Sequence, residues 1–253
     1  MSKPQIATQP VSLLPYALNV RKAQDSDVPP LKNGDRLTRA EFERRFDAMP
    51  ELKKAELIKG IVYMGSPVRQ KHHSRPHTHA VGWLVNYAAA TLGTDTGDNG
   101  SARVDDENMP QPDAMLSLLP EYGGQSHIDE DDYLAGLPEL VVEVSGSTSR
   151  HDLTDKKDVY EQNGVREYIV WRTEKQALDW LRLANNAYVK VEPDADGIIE
   201  SSVFPGLRLN VPALLAGDMA TVLAELQRGI ASPAHAAFVE QLAQRKQPLT
   251  TDN

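Results

Sequence analysis

The chain has 253 residues, with 27 Lys and Arg against 36 Asp and Glu, a formal net charge of −9 and no cysteine. Without cysteine there is no disulfide scaffold, no thiolate zinc site and no cysteine nucleophile. No apolar run reaches the ~18 residues of a membrane span, and residues 1–22 lack the apolar core of a secretory signal, so a soluble, cytoplasmic protein is expected. The acidic total argues against general coating of nucleic acid. It is unevenly spread: residues 36–75 hold ten basic and five acidic side chains, whereas 94–143 hold thirteen acids and only Arg103. Such a split suits a phosphate-collecting face beside a cation-collecting one. Two ordinary solvated faces are the plainer alternative.

Residues 1–35, rich in Pro, Gln, Asp and Ser, read as an arm or linker. Thr38-x-x-Glu41 is a capping box, and Phe42, Phe46 and Met49 follow at helical spacing until Met49-Pro50 stops the helix. Alternation over 56–64, turned at Gly60, predicts a hairpin of two short strands. A helix is expected over 77–92, then a Gly/Asp-rich loop, then strands at 102–104 and 114–119 on either side of Pro110-Gln-Pro-Asp113. Residues 120–138 read as an acidic loop and 140–144 as a buried strand. A helix over 148–163, ended by Gly164, leads to a strand at 167–172, and this strand–helix–strand unit makes its two strands parallel. A hairpin turning at Asn185-Asn186 joins 178–183 to 188–191, a strand runs from Ile198 to Phe204, and 217–246 is helical with a break near Ser232-Pro233. The sum is an α/β protein: a mixed β-sheet flanked by helices over 36–215, an N-terminal arm, and a C-terminal helical appendage and tail over 216–253.

The chemistry is sought first in the 140–144 strand. Glu139, Val141 and Glu143 share one face of it. A carboxylate in an apolar strand is costly to bury alone, so Glu143 asks for a partner, while Glu139 is expected at the solvated start. The following helix offers a cation. At about 100° per residue, Lys156 lies about 60° from Leu153, inside the apolar arc that faces the sheet, with Lys157 at its edge. Asp113 and Glu56 each open a strand. Three acids and a lysine match the needs of Mg²⁺-dependent phosphodiester cleavage. A hard cation takes two or three carboxylates and keeps several waters. The metal lowers the pKa of bound water, and the lysine orients or activates that water and offsets developing charge. A plain ion pair between Glu143 and a lysine is the alternative.

The string Glu56-Leu-Ile-x-Gly-x-Val, Gln111-Pro-Asp113, Pro138-Glu-Leu-Val-Val-Glu143-Val-Ser, Asp152-Leu-x-x-Lys156, Tyr160, Gly164-Val-Arg-Glu-Tyr168-x-Val and Phe204-Pro-Gly-Leu207 resembles the Uma2 family of endonucleases in the PD-(D/E)XK superfamily. The resemblance covers about residues 36–215. It implies a restriction-endonuclease-like core and a Mg²⁺-dependent DNA endonuclease site, with Mn²⁺ as a substitute. Asp113 matches the motif aspartate, Glu143 the acidic residue of (D/E)XK and Glu56 the N-terminal family glutamate. Asp113, Glu143 and Glu56 are thus the implied metal ligands, with Lys156 completing the catalytic set. The strict motif would place its lysine at residue 145, which is Ser145; the resemblance implies that Lys156, on the following helix, supplies it.

Other features of the sequence compete with this reading. His72, His73, His77 and His79 lie close together, but Lys71 and Arg75 beside them would repel a cation, so a basic, partly disordered loop that meets phosphate is expected. One of these histidines could still touch the site, as in other family members. Glu139 and Glu143 could form a glycosidase-like acid pair, although nothing aromatic lines a sugar site. Ser145-Gly146-Ser147 is not a nucleophile elbow, and helix capping explains its serines. Trp171 and Trp180 read as core. A non-catalytic DNA- or protein-binding module on the same fold is the competing function. DNA is the expected partner, no membrane contact is expected, and the 217–246 helices offer an apolar surface for a homodimer.

Overall fold

Residues 28–65, 67–146 and 149–246 are described by a computed structural model. Most of the expected N-terminal arm, Ser147 and the tail beyond residue 246 lie outside this range. The helices are α1 (Arg39–Asp47), α2 (Arg75–Ala90), α3 (Ser149–Asp152), α4 (Asp155–Gln162), α5 (Val211–Ala216), α6 (Met219–Ile230) and α7 (Pro233–Arg245). The first nine strands are β1 (Ala55–Ile58), β2 (Ile61–Met64), β3 (Thr94–Asp98), β4 (Ala102–Arg103), β5 (Ala114–Leu118), β6 (His127–Ile128), β7 (Leu134–Ala135), β8 (Leu140–Ser145) and β9 (Glu167–Arg172). The chain continues through β10 (Ala177–Ala184), β11 (Ala187–Val191), β12 (Ile198–Glu200) and β13 (Arg208–Asn210).

Six strands form the central sheet in the order β11-β10-β9-β8-β5-β3. Only β8 and β9 run parallel, joined through α3 and α4 as the strand–helix–strand pattern requires. The expected single helix over 148–163 is divided. The Tyr168 hydroxyl donates to the Asp152 carbonyl at 2.9 Å, and that carbonyl is the one a continuous helix would have used. Thr154, β-branched and outside helical φ/ψ, marks the break.

Strand alternation sends β8 into two cores. Leu140, Val142 and Val144 join α2 and the C-terminal helices through Trp83, Tyr87, Leu214, Val222, Leu226 and Phe238. Val141 joins Tyr160 of α4 with Val165, Tyr168 and Val170 on the opposite face. A third cluster covers the β1–β2 hairpin with Phe42 and Phe46 of α1, and Leu31 is buried in it, so the end of the expected arm packs on the domain. Lys59 and Gly60, both at positive φ, turn the hairpin. The acidic 120–138 stretch is more ordered than a plain loop: β6 and β7 form a small sheet with β4. Arg103 on β4 binds Asp129 at 2.8 Å, which draws that acid in from solvent, and reaches the exposed Asp131 at 2.7 Å.

The C-terminal helices pack closely on the core. Gly206, at φ +85°, lies against α6 so tightly that an added Cβ would come within 2.7 Å of the Gly229 carbonyl oxygen, so only glycine fits there. The Trp83 indole N–H donates to the Arg208 carbonyl, and the Tyr87 hydroxyl to the Pro205 carbonyl, both at 3.0 Å. These bonds fix α2 against the C-terminal part of the chain.

Candidate active site

The β5–β8 ladder pairs Ala114 with Val142, so one further step sets Asp113 opposite Glu143. Asp113 lies at the head of β5, where Pro112 removes one backbone donor and the chain enters the sheet. Its Oδ2 accepts the Val144 N–H at 2.9 Å and lies 3.3 Å from His73 Nε2. Its Oδ1 accepts from Lys54 Nζ at 3.0 Å. Burial alone would raise the Asp113 carboxyl. The hydrogen bond from His73 and the charges of Lys54 and Lys156 outweigh it and hold the group well below the usual carboxylate range.

Glu143 sits mid-strand and buried, facing α4. Its Oε1 lies 2.6 Å from Lys156 Nζ and accepts from the Tyr160 hydroxyl at 3.0 Å. Lys156, only 2 % exposed, also reaches Glu56 Oε1 at 2.8 Å. The helical position of Lys156 therefore carries it to the sheet as expected, while Lys157 turns outward to Glu161. Glu56 Oε1 accepts the Gln111 N–H as well, at 2.7 Å, so the hairpin carboxylate is tied to the loop that delivers Asp113. Glu56, Asp113, Glu143 and Lys156, from four separate segments, meet in one place.

Four buried carboxylates share this place: Glu56, Asp113, Glu143 and Asp152. They face two ammonium groups, Lys54 and Lys156. Burial, opposed by Lys156 and reinforced by Asp113, Asp152 and Glu56, pushes the Glu143 carboxyl up to about 8. Burial would deprotonate Lys156, but Glu143, Glu56 and Asp152 reverse this and hold it well above the lysine range. Two opposed carboxyls are thus driven apart, Asp113 held ionised and Glu143 held near neutrality, an asymmetry common at catalytic centres.

Among the described residues no group of three or more His, Asp or Glu side chains is arranged to hold a metal ion. Lys156 stands between Glu56 and Glu143, and Lys54 and His73 hold Asp113. The donor chemistry nevertheless suits a hard divalent cation. Asp113 and Glu143 offer carboxylate oxygen from neighbouring strands, and the surplus of buried negative charge is what such an ion would offset.

The structure corrects two expectations. Glu139 is fully buried, not solvated, and its oxygens accept the Leu118 N–H at 2.9 Å and the Gln125 N–H at 3.1 Å. It therefore anchors backbone and makes no acid pair with Glu143. The histidines do not lie in a loose loop. Residues Gln70–Ser74 form a π-helical turn leading into α2. His73 reaches Asp113, and His77 Nε2 lies 2.6 Å from the Asp113 carbonyl oxygen and 2.9 Å from Asp98 Oδ1.

Lys54, Asp152 and the contact made by Tyr160 escaped sequence reasoning. Lys54 could have been found, since it lies two residues before Glu56 and strand alternation sends both to one side. Tyr160 follows Lys156 by four residues on the same helix face, which is the signal for its place on Glu143. Asp152 lies four residues before Lys156, on that face too, but across the helix break.

A mixed sheet carrying opposed carboxylates on adjacent strands, with helices on both faces, defines a restriction-endonuclease-like fold. The crystal structure of a putative nuclease belonging to DUF820 from Anabaena variabilis is similar, with a TM-score of 0.51 and 13% identity over 68% of this chain and 96% of that one. The Uma2 family, described as putative restriction endonuclease, matches residues 39–212, more than half of the chain. The chain belongs to the Uma2 family. No curated protein matches it. No helix among the described residues is long and apolar enough to cross a membrane.

Proposed function

We propose that the protein is a Mg²⁺-dependent endonuclease that hydrolyses phosphodiester bonds of DNA, with Mn²⁺ able to substitute. The observation that carries this reading is the opposition of Asp113 and Glu143 across the β5–β8 ladder, with Lys156 held charged between Glu143 and Glu56. Asp113 and Glu143 would hold the metal, with Glu56 placed to hold a further ion or its water. A bound divalent ion supplies Lewis acidity and water of lowered pKa.

The chain's own residues do the rest. Val144 and His73 fix the Asp113 carboxylate, and Tyr160 fixes that of Glu143. Lys156 orients the attacking water with its ammonium and neutralises charge developing on the phosphoryl oxygens. Lys54, on the more open side of Asp113, presents a second positive charge to the phosphate.

The test is nicking of supercoiled plasmid by the wild type and by Glu143→Gln and Asp113→Asn, with Mg²⁺ or Mn²⁺ and with chelator. Metal-dependent nicking by the wild type alone is expected. A wild type that never cleaves single- or double-stranded DNA with either ion overturns the proposal. One observation favours a second reading, a DNA-binding module without catalysis: Lys156 already engages both Glu56 and Glu143. Calorimetric titration separates the two, since the module binds neither ion.

A further inference from the structure

Many arginines and lysines among the described residues are paired with carboxylates. Arg39 binds Glu43, Arg45 binds Glu41, Lys59 binds Asp155 and Asp158, and Arg103 binds Glu43, Asp129 and Asp131. The segment entering α2 is different. Arg69, Lys71 and Arg75 are exposed, and none makes an ion pair among the described residues. Three like charges within seven residues repel one another and contribute nothing to packing.

The segment is held in place. The His73 and Ser74 N–H groups both donate to the Arg69 carbonyl, at 3.0 and 3.1 Å. The Thr173 hydroxyl donates to the His72 carbonyl at 2.6 Å, and Pro76 is buried. Half the segment's chemistry faces inward, since His73 touches Asp113. The three cations therefore sit on a fixed turn at the rim of the candidate site rather than in it. A turn ordered in advance spares the cost of ordering its backbone when its side chains meet an anion.

We infer that Arg69, Lys71 and Arg75 form a backbone clamp, holding phosphates of the DNA strand on either side of the one presented to Asp113 and Glu143. The inference rests on the nuclease reading of that site. The clamp carries no base information, because ammonium and guanidinium groups on phosphate fix register and leave sequence unread. It resolves how a chain of net charge −9 meets DNA: local cations bind while the acidic remainder repels, so contact is confined to the site.

The test is fluorescence anisotropy of a labelled DNA duplex with the full chain in chelator, over a range of salt. Each phosphate neutralised contributes about 0.9 to the slope of log affinity against log salt, so Arg69→Ala/Lys71→Ala/Arg75→Ala should flatten it by about 2.7. A control of equal charge change on exposed cations of β11, α6 and α7, Lys190→Ala/Arg228→Ala/Arg245→Ala, should leave the slope near that of the wild type. In nicking assays the clamp variant should show a raised KM with kcat nearly unchanged. An unchanged slope, or an equal drop in the control, overturns the clamp, as does a wild type that binds no DNA. Binding without cleavage by the wild type sinks the nuclease reading and leaves the clamp standing. Cleavage with unaltered binding by the clamp variant does the reverse.

Discussion

The Val144 N–H donates to Asp113 Oδ2 over 2.9 Å, tying the carboxylate at the head of β5 to the strand that carries Glu143. The separation of the two acids is thereby set by sheet geometry, the least deformable part of the molecule. Of the three acids and the lysine, Glu56 comes from a hairpin and Lys156 from a helix. Four consequences can be measured.

Lys156 is the only ammonium in contact with both Glu56 and Glu143 among the described residues. Replacing it leaves buried carboxylates without a counter-charge, so Lys156→Met should lose about 3–5 kcal/mol in denaturant unfolding as well as nicking. Adding Glu56→Gln removes one uncompensated carboxylate and should restore part of that stability. Equal stabilities of Lys156→Met and the double variant would show that the pair is not coupled.

The Glu143 carboxyl, pushed from 4.5 to about 8, makes stability depend on pH. Between those values the folded chain keeps a proton that the unfolded chain has lost. Stability therefore falls as pH rises through this window, by at most about 1.4 kcal/mol per pH unit. Glu143→Gln should flatten the decline. Urea midpoints in chelator at several pH values read it directly, and a profile of Glu143→Gln as steep as the wild type's would refute the assignment.

Lys54 retains about a third of its side-chain exposure while pairing with Asp113 at 3.0 Å. Lys54→Met should therefore change stability by only about 1 kcal/mol. If its ammonium meets the phosphate, nicking should drop by about 10²-fold. Unaltered nicking would restrict Lys54 to pairing with Asp113.

Glu139→Ala should show the opposite pattern. It removes the acceptor of two backbone N–H groups in a fully buried place and should destabilise by about 2–4 kcal/mol. Nicking per folded molecule should be unchanged, because Glu139 bonds the Leu118 and Gln125 N–H groups rather than any group of the site. A loss of activity at full folding would reopen the acid-pair reading.

Much of this was legible in the sequence, and where it was not the reason is physical. The β8–β9 unit and the inward turn of Lys156 follow from periods of 2 and 3.6, which a chain cannot hide. The break in the 148–163 helix comes from the Tyr168 hydroxyl, a tertiary partner with no local trace. The burial of Glu139 is not legible, because a strand-end carboxylate reads as solvated unless the loop that folds over it is known; here residues 118–125 supply its donors. The histidines read as a loop because a π-helical turn has no strong sequence signature, and His73 finds Asp113 across thirty-nine intervening positions of chain.

The close seat of Gly206 against Gly229 has a consequence for how the protein can be handled. A fragment cut where the family match ends, at residue 212, would discard Val222, Leu226, Phe238 and Leu242 and bare the side of α2 that they cover. That helix begins with the turn bearing His73, so loss of its far support would loosen the Asp113 carboxylate across the molecule. The boundary of recognisable kinship is thus narrower than the boundary of cooperative folding, and deletion series or fusions should keep the chain whole through α7.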